Sequence, residues 1–256
     1  MKPSGNTILI TGGASGIGRE LAERFHAQGN TVIIAGRRRE RLDEVTAAHD
    51  GIVAYVLDVE NKADIEAFAV KVVAEHPDLN VLVNNAGIMT AEDVTQSRDL
   101  SDAEAMVTTN LLGPIRLTNA LIEHLVTKPH AAVINLSSGL AFVPLVSTPT
   151  YSATKAAIHS YTVSLRAALK GQVEVIELVP PAVQTELTPG QSTRAGYMPL
   201  NAFMDEVMTL FAQQPTPQEI LVDRVGFLRF AEAEKRFDQT LTALNDLVRR
   251  AHADQT

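Results

Sequence analysis

Residues 7–24 read TILITGGASGIGRELAER. A short apolar strand enters a turn with Gly12, Gly16 and Gly18, and an amphipathic helix follows. In such a turn the first glycine permits the tight bend, the second lets backbone approach a phosphate, and the third lets helix and strand pack closely. The free amides of the helix start would then face a pyrophosphate. The spacing GxxxGxG therefore predicts a dinucleotide site, with a purely structural turn as the alternative.

Beyond this turn, apolar runs of strand length alternate with helix-length periodic segments. The predicted strands are Thr7–Ile10, Thr31–Ala35, Ile52–Leu57, Val81–Asn84, Ala131–Leu136 and Val173–Val179. The predicted helices are Gly16–Gln28, Arg38–Ala48, Lys62–Glu75, Ser101–Val126 and Tyr151–Lys170. Runs rich in Val and Ile without alternation are typical of strands buried on both faces of a parallel sheet. The pattern predicts a doubly wound α/β domain with six or seven parallel strands flanked by helices.

The pattern changes after the sixth predicted strand. Residues 186–217 are irregular, with prolines, glycines and scattered Met and Phe, and we expect them to form a lid over the substrate. Residues 218–251 are charged and amphipathic, which predicts a C-terminal helical extension and leaves a seventh strand in doubt. No repeat or linker divides the chain, so residues 1–256 are interpreted as one domain.

Composition narrows the functional class. The 256 residues are 45% hydrophobic and 20% charged, as expected for a soluble globular protein. A net charge of −8 argues against a nucleic-acid or anionic-membrane surface. Cysteine is absent and the histidines show no ligand spacing, so neither a disulfide nor a metal site is predicted. The N-terminus has no secretory pattern and no apolar run approaches the length of a membrane span, so we expect a cytoplasmic protein.

The second strand bears on the choice of cofactor. Residues 32–42 read VIIAGRRRERL, so Arg37 and Arg38 stand where NAD sites carry an acidic residue against the ribose. Guanidinium groups bind a 2′-phosphate through charge-assisted hydrogen bonds, whereas a carboxylate would repel it. The sequence therefore predicts NADP. The alternative is that these arginines merely form the solvated start of a helix.

Two further motifs give the chain a family resemblance. NNAG occupies residues 84–87, and Tyr151 stands four residues before Lys155. Together with the glycine turn, in this order and spacing, they make residues 5–185 resemble a short-chain dehydrogenase/reductase of the Tyr-x-x-x-Lys type. The resemblance implies a Rossmann-type domain with a seven-stranded parallel sheet, a nicotinamide cofactor and hydride transfer without a metal.

The same resemblance assigns roles to single residues. Asn110 in TTNLLG resembles the asparagine of the proton relay, and Ser138 in INLSS resembles the catalytic serine, with Ser137 as the nearby alternative. Asn110 and Ser138, with Tyr151 and Lys155, form the predicted catalytic tetrad. The residues predicted to bind the cofactor are Gly12, Ser15, Gly16, Ile17, Gly18, Arg37, Arg38, Asp58, Val59, Asn84, Ala86, Gly87, Tyr151, Lys155, Pro180, Val183 and Thr185.

The spacing of the tyrosine and lysine suggests a mechanism. Residues four apart share one helical face, so Lys155 can stand near Tyr151 and also reach the nicotinamide ribose. A neighbouring ammonium is expected to lower the pKa of a phenol from about 10 towards neutrality. Each residue also has a purely structural interpretation. The spacing of Tyr151 and Lys155 occurs by chance in helices. Ser138 could cap a strand end, and Asn110 could hydrogen-bond a buried backbone group.

The predicted activity is NADPH-dependent reduction of a ketone or aldehyde, or the reverse oxidation of a secondary alcohol. Met89, Leu140, Phe142 and Leu145 are expected to line a mainly apolar substrate pocket. Imine reduction, a specific sugar or lipid redox step, and NADP(H) sensing without turnover remain alternatives. The resemblance implies a homodimer or homotetramer. It also makes Pro180-Pro181, in place of the usual Pro-Gly, a departure that could alter the loop beside the nicotinamide.

Overall fold

The computed structural model describes the backbone of residues 1–253 and the side chains of residues 1–246. Seven parallel strands form one sheet in the order β3-β2-β1-β4-β5-β6-β7. The strands are β1 (Thr7–Thr11), β2 (Thr31–Gly36), β3 (Val53–Val56), β4 (Leu79–Asn84), β5 (Ala132–Leu136), β6 (Glu174–Val179) and β7 (Glu219–Leu221). The strand order reverses between β1 and β4, and ligands of such sheets bind at the carboxyl ends of the strands flanking this reversal.

Helices cover both faces of the sheet. They are α1 (Gly16–Ala27), α2 (Arg39–Ala48), α3 (Lys62–Glu75), α4 (Ser101–Val107), α5 (Gly113–Leu125), α6 (Pro149–Ala168), α7 (Leu200–Phe211), α8 (Gly226–Arg229) and α9 (Phe237–Ala253). Helices α1, α2 and α7 contribute to the core on one face, and α3, α5 and α6 to the core on the other. No helix in the described part of the chain is both long and apolar enough to cross a bilayer.

The predicted doubly wound domain is confirmed, and the six predicted strands form with bounds within two residues of those expected. Local signals explain several helix starts. The side chain of Asn61 accepts hydrogen bonds from two amides of α3, and proline occupies the first position of α6, where its missing N–H leaves no bond unmade. The long helix predicted over Ser101–Val126 is interrupted, because Thr108–Leu112 forms a π-helical segment between α4 and α5.

The prediction of a continuous helix from residue 218 is wrong. A seventh strand, β7, pairs with β6, and the main C-terminal helix begins only at Phe237. Ile220 is fully buried beside Leu178 of β6, and this burial explains why so short a segment forms a strand. Three residues are too few for a periodicity to show in the sequence.

Much of the predicted lid belongs to the core. In α7, Phe203, Met204 and Val207 are buried, and the ring of Phe211 lies 5.5 Å from that of Phe25 in α1. The apolar side chains interpreted as an adaptable cover therefore hold α7 against α1. Residues 186–199, before α7, stay as the segment to which the lid prediction still applies.

The turn after β1 contains a further glycine that the structure requires. A Cβ on Gly13 would lie 2.6 Å from Cγ2 of Ile34, which is fully buried in β2. We expect Gly13→Ala to lower the free energy of unfolding by about 1–3 kcal/mol, because a branched core side chain must move. Urea titration of the cofactor-free protein measures this. Gly36→Ala is the matched control, since its Cβ would meet nothing within 4 Å; equal losses in both variants would contradict the packing argument.

Candidate active site

The glycine turn has the shape expected of a phosphate cradle. Gly12 and Gly16 have φ angles of +66° and +53°, in the left-handed region that side chains disfavour. A Cβ on Gly18 would lie 2.4 Å from the carbonyl oxygen of Gly12, so only glycine lets α1 start this close to β1. A Cβ on Gly16 would meet only Thr185, at 3.5 Å. The α1 N-terminus thus opens towards the loop after β6.

The turn after β4 is fastened to the glycine turn. Asn85 donates from Nδ2 to the carbonyl oxygen of Thr11 at 2.8 Å, and the hydroxyl oxygen of Thr11 accepts the amides of Asn85 and Ala86 at 3.1 Å. A Cβ on Gly12 would lie 2.8 Å from Asn85 Nδ2. Asn85 was not among the predicted site residues, although its place beside Asn84 in NNAG was the available signal.

Other predicted cofactor residues around β3 and β4 divide into two groups. Asn84 points into the sheet layer, where Nδ2 donates to Oδ1 of Asn135 at 2.8 Å and to the hydroxyl of Thr118 at 3.1 Å. It therefore organises the sheet centre. Asp58 lies after β3 with its carboxylate accepting the amide of Glu60, and Val59 beside it is buried.

Two exposed arginines follow β2, next to the glycine turn. Arg37 donates to Oε1 of Glu60 at 2.8 Å, and Arg38 donates to Oγ of Ser15 at 3.0 Å. Both guanidinium groups are exposed, so a phosphate could bind without being stripped fully of water. Ser15 stands just before α1 and Ile17 lies in its first turn, so the predicted cation pair and phosphate cradle are neighbours.

The loop after β6 closes the other side of the cradle. The carbonyl oxygen of Pro180 accepts the amide of Gly139 at 2.9 Å, which extends the pairing of β5 and β6 beyond the strand ends. Gln191 donates to the carbonyl oxygen of Val183 at 2.8 Å and to the hydroxyl of Thr185 at 3.1 Å. The double proline is thus accommodated where the chain leaves the sheet, and Thr185 faces Gly16.

The four predicted catalytic side chains all lie in the interior at this edge of the sheet. Asn110, Ser138, Tyr151 and Lys155 are each less than 9% exposed. The ammonium of Lys155 lies 5.6 Å from the centre of the Tyr151 ring and donates to the carbonyl oxygen of Leu136 at 2.8 Å. The hydroxyl of Ser138 lies near the Tyr151 phenol and favours its ionised form, and it accepts the amide of Leu140 at 3.1 Å.

The neighbouring Ser137 stands apart from this group. Its hydroxyl is buried and has no hydrogen-bond partner among the described residues, whereas that of Ser138 acts on the Tyr151 phenol. Of the two serines, Ser138 is the one that lies beside Tyr151.

Burial dominates the acid–base properties of the pair. It raises the pKa of Tyr151 to about 12, against a smaller opposing effect of the hydrogen bond with Ser138. It lowers the pKa of Lys155 to about 8, and the negative charge of Glu177 opposes that shift. The sequence led us to expect Lys155 to lower the pKa of Tyr151. The pKa of Tyr151 shifts in the opposite direction, because excluding water from the phenol disfavours the phenolate.

Asn110 lies in the π-helical segment between α4 and α5. Its amide nitrogen donates to the carbonyl oxygen of Ile88, and its amide oxygen accepts the Ile88 amide, both at 2.9 Å. A Cβ on Gly87 would lie 3.3 Å from Oδ1 of Asn110 and 3.8 Å from Nζ of Lys155, so Gly87 separates the two side chains. π-Helical turns are frequent at functional sites. No pattern in the sequence predicts this one.

Comparison with known proteins identifies the family of this chain. The family model described as "short chain dehydrogenase" matches residues 6–195. The chain belongs to the short-chain dehydrogenase family. The predicted family resemblance is thereby confirmed, and so is the seven-stranded parallel sheet that it implied.

Several relatives cover most of this short-chain dehydrogenase. The uncharacterized oxidoreductase DltE of Bacillus subtilis is 38% identical over 252 residues, covering 96% of this chain and all of the relative. The NADP-dependent 3-hydroxy acid dehydrogenase YdfG of Escherichia coli is 34% identical over 175 residues, covering 68% and 71% of the two chains. A short-chain dehydrogenase from Burkholderia cenocepacia, solved with NADP, superposes with a TM-score of 0.81 at 26% identity, covering 96% and 99%.

The start of α6 in this short-chain dehydrogenase is held by a residue that sequence reasoning missed. Glu92, whose side chain is 3% exposed, accepts the amide of Thr150 at 2.9 Å and its hydroxyl at 2.7 Å. Arg98 donates to the same carboxylate at 2.6 Å. A carboxylate at a helix N-terminus is favoured because it receives free amides and faces the positive end of the helix dipole. Glu92 therefore fixes the turn of α6 that carries Tyr151.

The predicted substrate residues are distributed around the tetrad. Met89 and Leu140 are half-buried beside Ile88 and Ser138 in the chain. Leu145 is 8% exposed and belongs more to the turn before α6, where its amide donates to Oγ of Ser152. The ring of Phe142 lies 4.5 Å from the Arg229 guanidinium carbon and 4.8 Å from the His159 ring.

The depressed pKa of Lys155 has a consequence for stability. Between the folded value of about 8 and the unfolded value of about 10.4, the unfolded chain binds more protons at this residue. The free energy of unfolding should therefore rise with pH in this window, relative to Lys155→Met, by about 2–3 kcal/mol. Urea titrations of both proteins at pH 7.5 and 10 measure the difference. Lys170→Met, which removes an exposed lysine just after α6, serves as the control; parallel behaviour of the two variants would contradict the assignment.

Proposed function

We propose that this protein is an NADPH-dependent reductase of ketones or aldehydes and, in reverse, a dehydrogenase of secondary alcohols, with Tyr151 as acid/base. The observation that carries the proposal is the burial of Tyr151, Lys155 and Ser138 together at the carboxyl edge of the sheet, beside the glycine turn. A phenol, an ammonium and a hydroxyl around one point can hold a carbonyl oxygen and protonate it.

The residues of the site fit a bound NADP(H). The open space at Gly16 and the free amides of α1 suit a pyrophosphate, and the exposed Arg37 and Arg38 suit a 2′-phosphate. The relative from Escherichia coli is named NADP-dependent, and the Burkholderia cenocepacia structure contains NADP. When bound, NADPH supplies the hydride that reduces the carbonyl carbon. Asp58 and Val59 would contact the adenine end, and Thr185 the nicotinamide end.

The chain's own residues would supply the proton and hold the oxygen. Ser138 donates a hydrogen bond to the carbonyl oxygen, and Tyr151 transfers its phenolic proton to that oxygen as negative charge develops. A pKa near 12 keeps Tyr151 protonated at neutral pH, which suits a proton donor in reduction. Lys155 stays charged below a pH of about 8 and stabilises the phenolate that is left. Asn110 holds the backbone of Ile88 through two hydrogen bonds, beside the route by which Tyr151 would regain its proton.

The proposed substrate is a mainly apolar carbonyl compound. Met89 and Leu140 would contact it, with Phe142 at the margin because its ring is already packed against Arg229 and His159. Residues 186–199 would cover it. We further propose a cytoplasmic homodimer, and the exposed Val126 and Val163, at the end of α5 and on α6, are available for such a contact.

Tyr151→Phe is the direct test of the chemistry. Wild-type protein is first assayed for NADPH oxidation against ketones, aldehydes and imines of graded polarity, with NADH in parallel. On the best carbonyl substrate we expect the variant to lose at least about 10³-fold in kcat, because the proton donor is gone, while its affinity for NADPH stays measurable by fluorescence titration. A variant that keeps most of its kcat would overturn the role of Tyr151. Turnover of imines or highly charged substrates alone would overturn the substrate class.

Cofactor preference has its own test in the arginine pair. Arg37→Asp places a carboxylate next to the proposed 2′-phosphate, so we expect kcat/KM to fall at least about tenfold with NADPH and to hold or rise with NADH. Arg41→Asp is the matched control, because Arg41 belongs to the same basic run but is exposed on α2 and paired with Glu44. Preference for NADPH unchanged by Arg37→Asp, or shifted equally by both variants, would remove the basis for the phosphate contact.

A further inference from the structure

A row of polar side chains crosses the sheet beneath α6. Asn84, Asn135, Glu177 and Glu219 occupy the same register position in β4, β5, β6 and β7. In a parallel sheet neighbouring strands lie about 4.8 Å apart, so these residues form a continuous line. Buried strands of such sheets usually carry apolar side chains at these positions, and a polar line across four strands therefore calls for a physical role.

Each member of the row has a partner on the helical layer. Asn84 donates to Thr118 of α5, and Asn135 donates to the hydroxyl of Thr162 in α6 at 2.9 Å. The carboxylate of Glu177 lies 2.8 and 3.1 Å from Nδ1 of His159. The row therefore faces α5 and α6, the side on which Lys155 lies.

The outer carboxylate is balanced on its own. Arg229 donates from two nitrogens to the two oxygens of Glu219, both at 2.9 Å. Such a bidentate pair leaves both groups neutralised by each other. The charge of Glu219 is therefore largely compensated by Arg229 and acts little on the other residues of the row.

Glu177 is different, because its side chain is completely buried. An ionised carboxylate without water requires compensating positive charge close by. His159, one helical turn after Lys155, supplies charge only when protonated. Two further cations lie near Glu177. The guanidinium of Arg229 feels the charge of Glu177 but is already paired with Glu219. The ammonium of Lys155 is anchored to the carbonyl of Leu136, the residue after Asn135, which pairs with Glu177.

The need is mutual. In the described part of the chain, the hydrogen bond recorded for the Lys155 ammonium goes to a neutral carbonyl, and the carboxylate that acts on its charge is that of Glu177. Burial alone would drive Lys155 towards the neutral amine, which could neither stabilise a phenolate nor bind ribose hydroxyls as a cation.

We propose that Glu177 is a positioning residue of the reaction, whose buried carboxylate keeps Lys155 in its charged form. This proposal rests on the proposed function for its catalytic meaning, because that function gives the charge of Lys155 its use. Glu177 makes no contact with the reacting atoms; it acts through Lys155. The titratable and charged groups facing this pair are Tyr151 and His159 of α6, Glu219 of β7 and Arg229 of α8.

A metal ion is the competing interpretation of the same side chains. Ligand atoms of His159, Glu177 and Glu219 lie within 4.8 Å of one another. The guanidinium of Arg229 already occupies both oxygens of Glu219, and the charge of Lys155 acts on Glu177. A divalent cation there would be repelled by two positive groups, so charge balance favours Lys155 and Arg229 as the counter-charges of these carboxylates.

The test measures the ionisation of Lys155 directly. The chain has seven lysines, so ¹³Cε-lysine NMR gives few signals, and Lys155→Met identifies the one to follow. We expect Glu177→Gln to lower the titration midpoint of Lys155 by about one pH unit, because one nearby negative charge is removed. Glu177→Asp keeps the charge but withdraws it by one methylene, so its midpoint should fall between those of wild type and Glu177→Gln.

Glu174→Gln is the matched control. It removes the same charge from the same strand, but its carboxylate pairs with the amino group of Met1, and we expect the Lys155 midpoint to stay at its wild-type value. If Glu177→Gln does not fold, as judged by circular dichroism, Glu177→Asp decides. A wild-type midpoint in the folded Glu177 variants, an equal shift in Glu174→Gln, or a wild-type midpoint that moves on adding Zn²⁺ would overturn the proposal.

Kinetics separate this proposal from the proposed function. With a carbonyl substrate in hand, the pH above which kcat falls should move down in Glu177→Gln by the shift seen in the Lys155 titration, and not in Glu174→Gln. Should no carbonyl compound be reduced at all, the proposed activity fails while the NMR titration still decides whether Glu177 holds the charge of Lys155.

Discussion

Strands β1 and β4 pair at the centre of the sheet, and the turns that follow them are hydrogen-bonded to each other. These strands lie side by side where the strand order reverses. The side-chain amide of Asn85, in the turn after β4, donates to the backbone carbonyl oxygens of Thr11 and Gly12. Because all seven strands are parallel, their carboxyl ends meet at one edge, and segments distant in sequence arrive there together. This pairing of β1 and β4 brings together the glycine turn, Asn110, Ser138 and α6.

The sequence could predict those parts of the fold that depend on the local properties of the residues. Gly12 and Gly16 need left-handed backbone, and long Val/Ile runs need burial on both faces, so each left a readable pattern. The family motif then placed Tyr151 and Lys155 on one face of one helix. Their roles in catalysis stay a prediction.

What sequence could not predict depends on the environment that the fold creates. The spacing of Tyr151 and Lys155 indicates contact, but the direction of a pKa shift depends on how completely water is excluded from both groups. The strand β7 was missed because its pairing with β6 is non-local, and α7 was taken for a lid because its burial requires α1. Glu177 gave no signal at all, since a single glutamate in an apolar strand acquires meaning only beside α6 and β7.

The carboxylate of Glu92 connects two parts of the molecule that would otherwise be independent. It lies in the segment between β4 and α4, yet it accepts the amide of Thr150, the residue before Tyr151. A displacement of this segment would take the Glu92 carboxylate away from the first turn of α6. The free energy of placing the segment therefore includes that of placing Tyr151. By thermodynamic reciprocity, a molecule that binds better when Tyr151 is in place also favours the observed position of the segment.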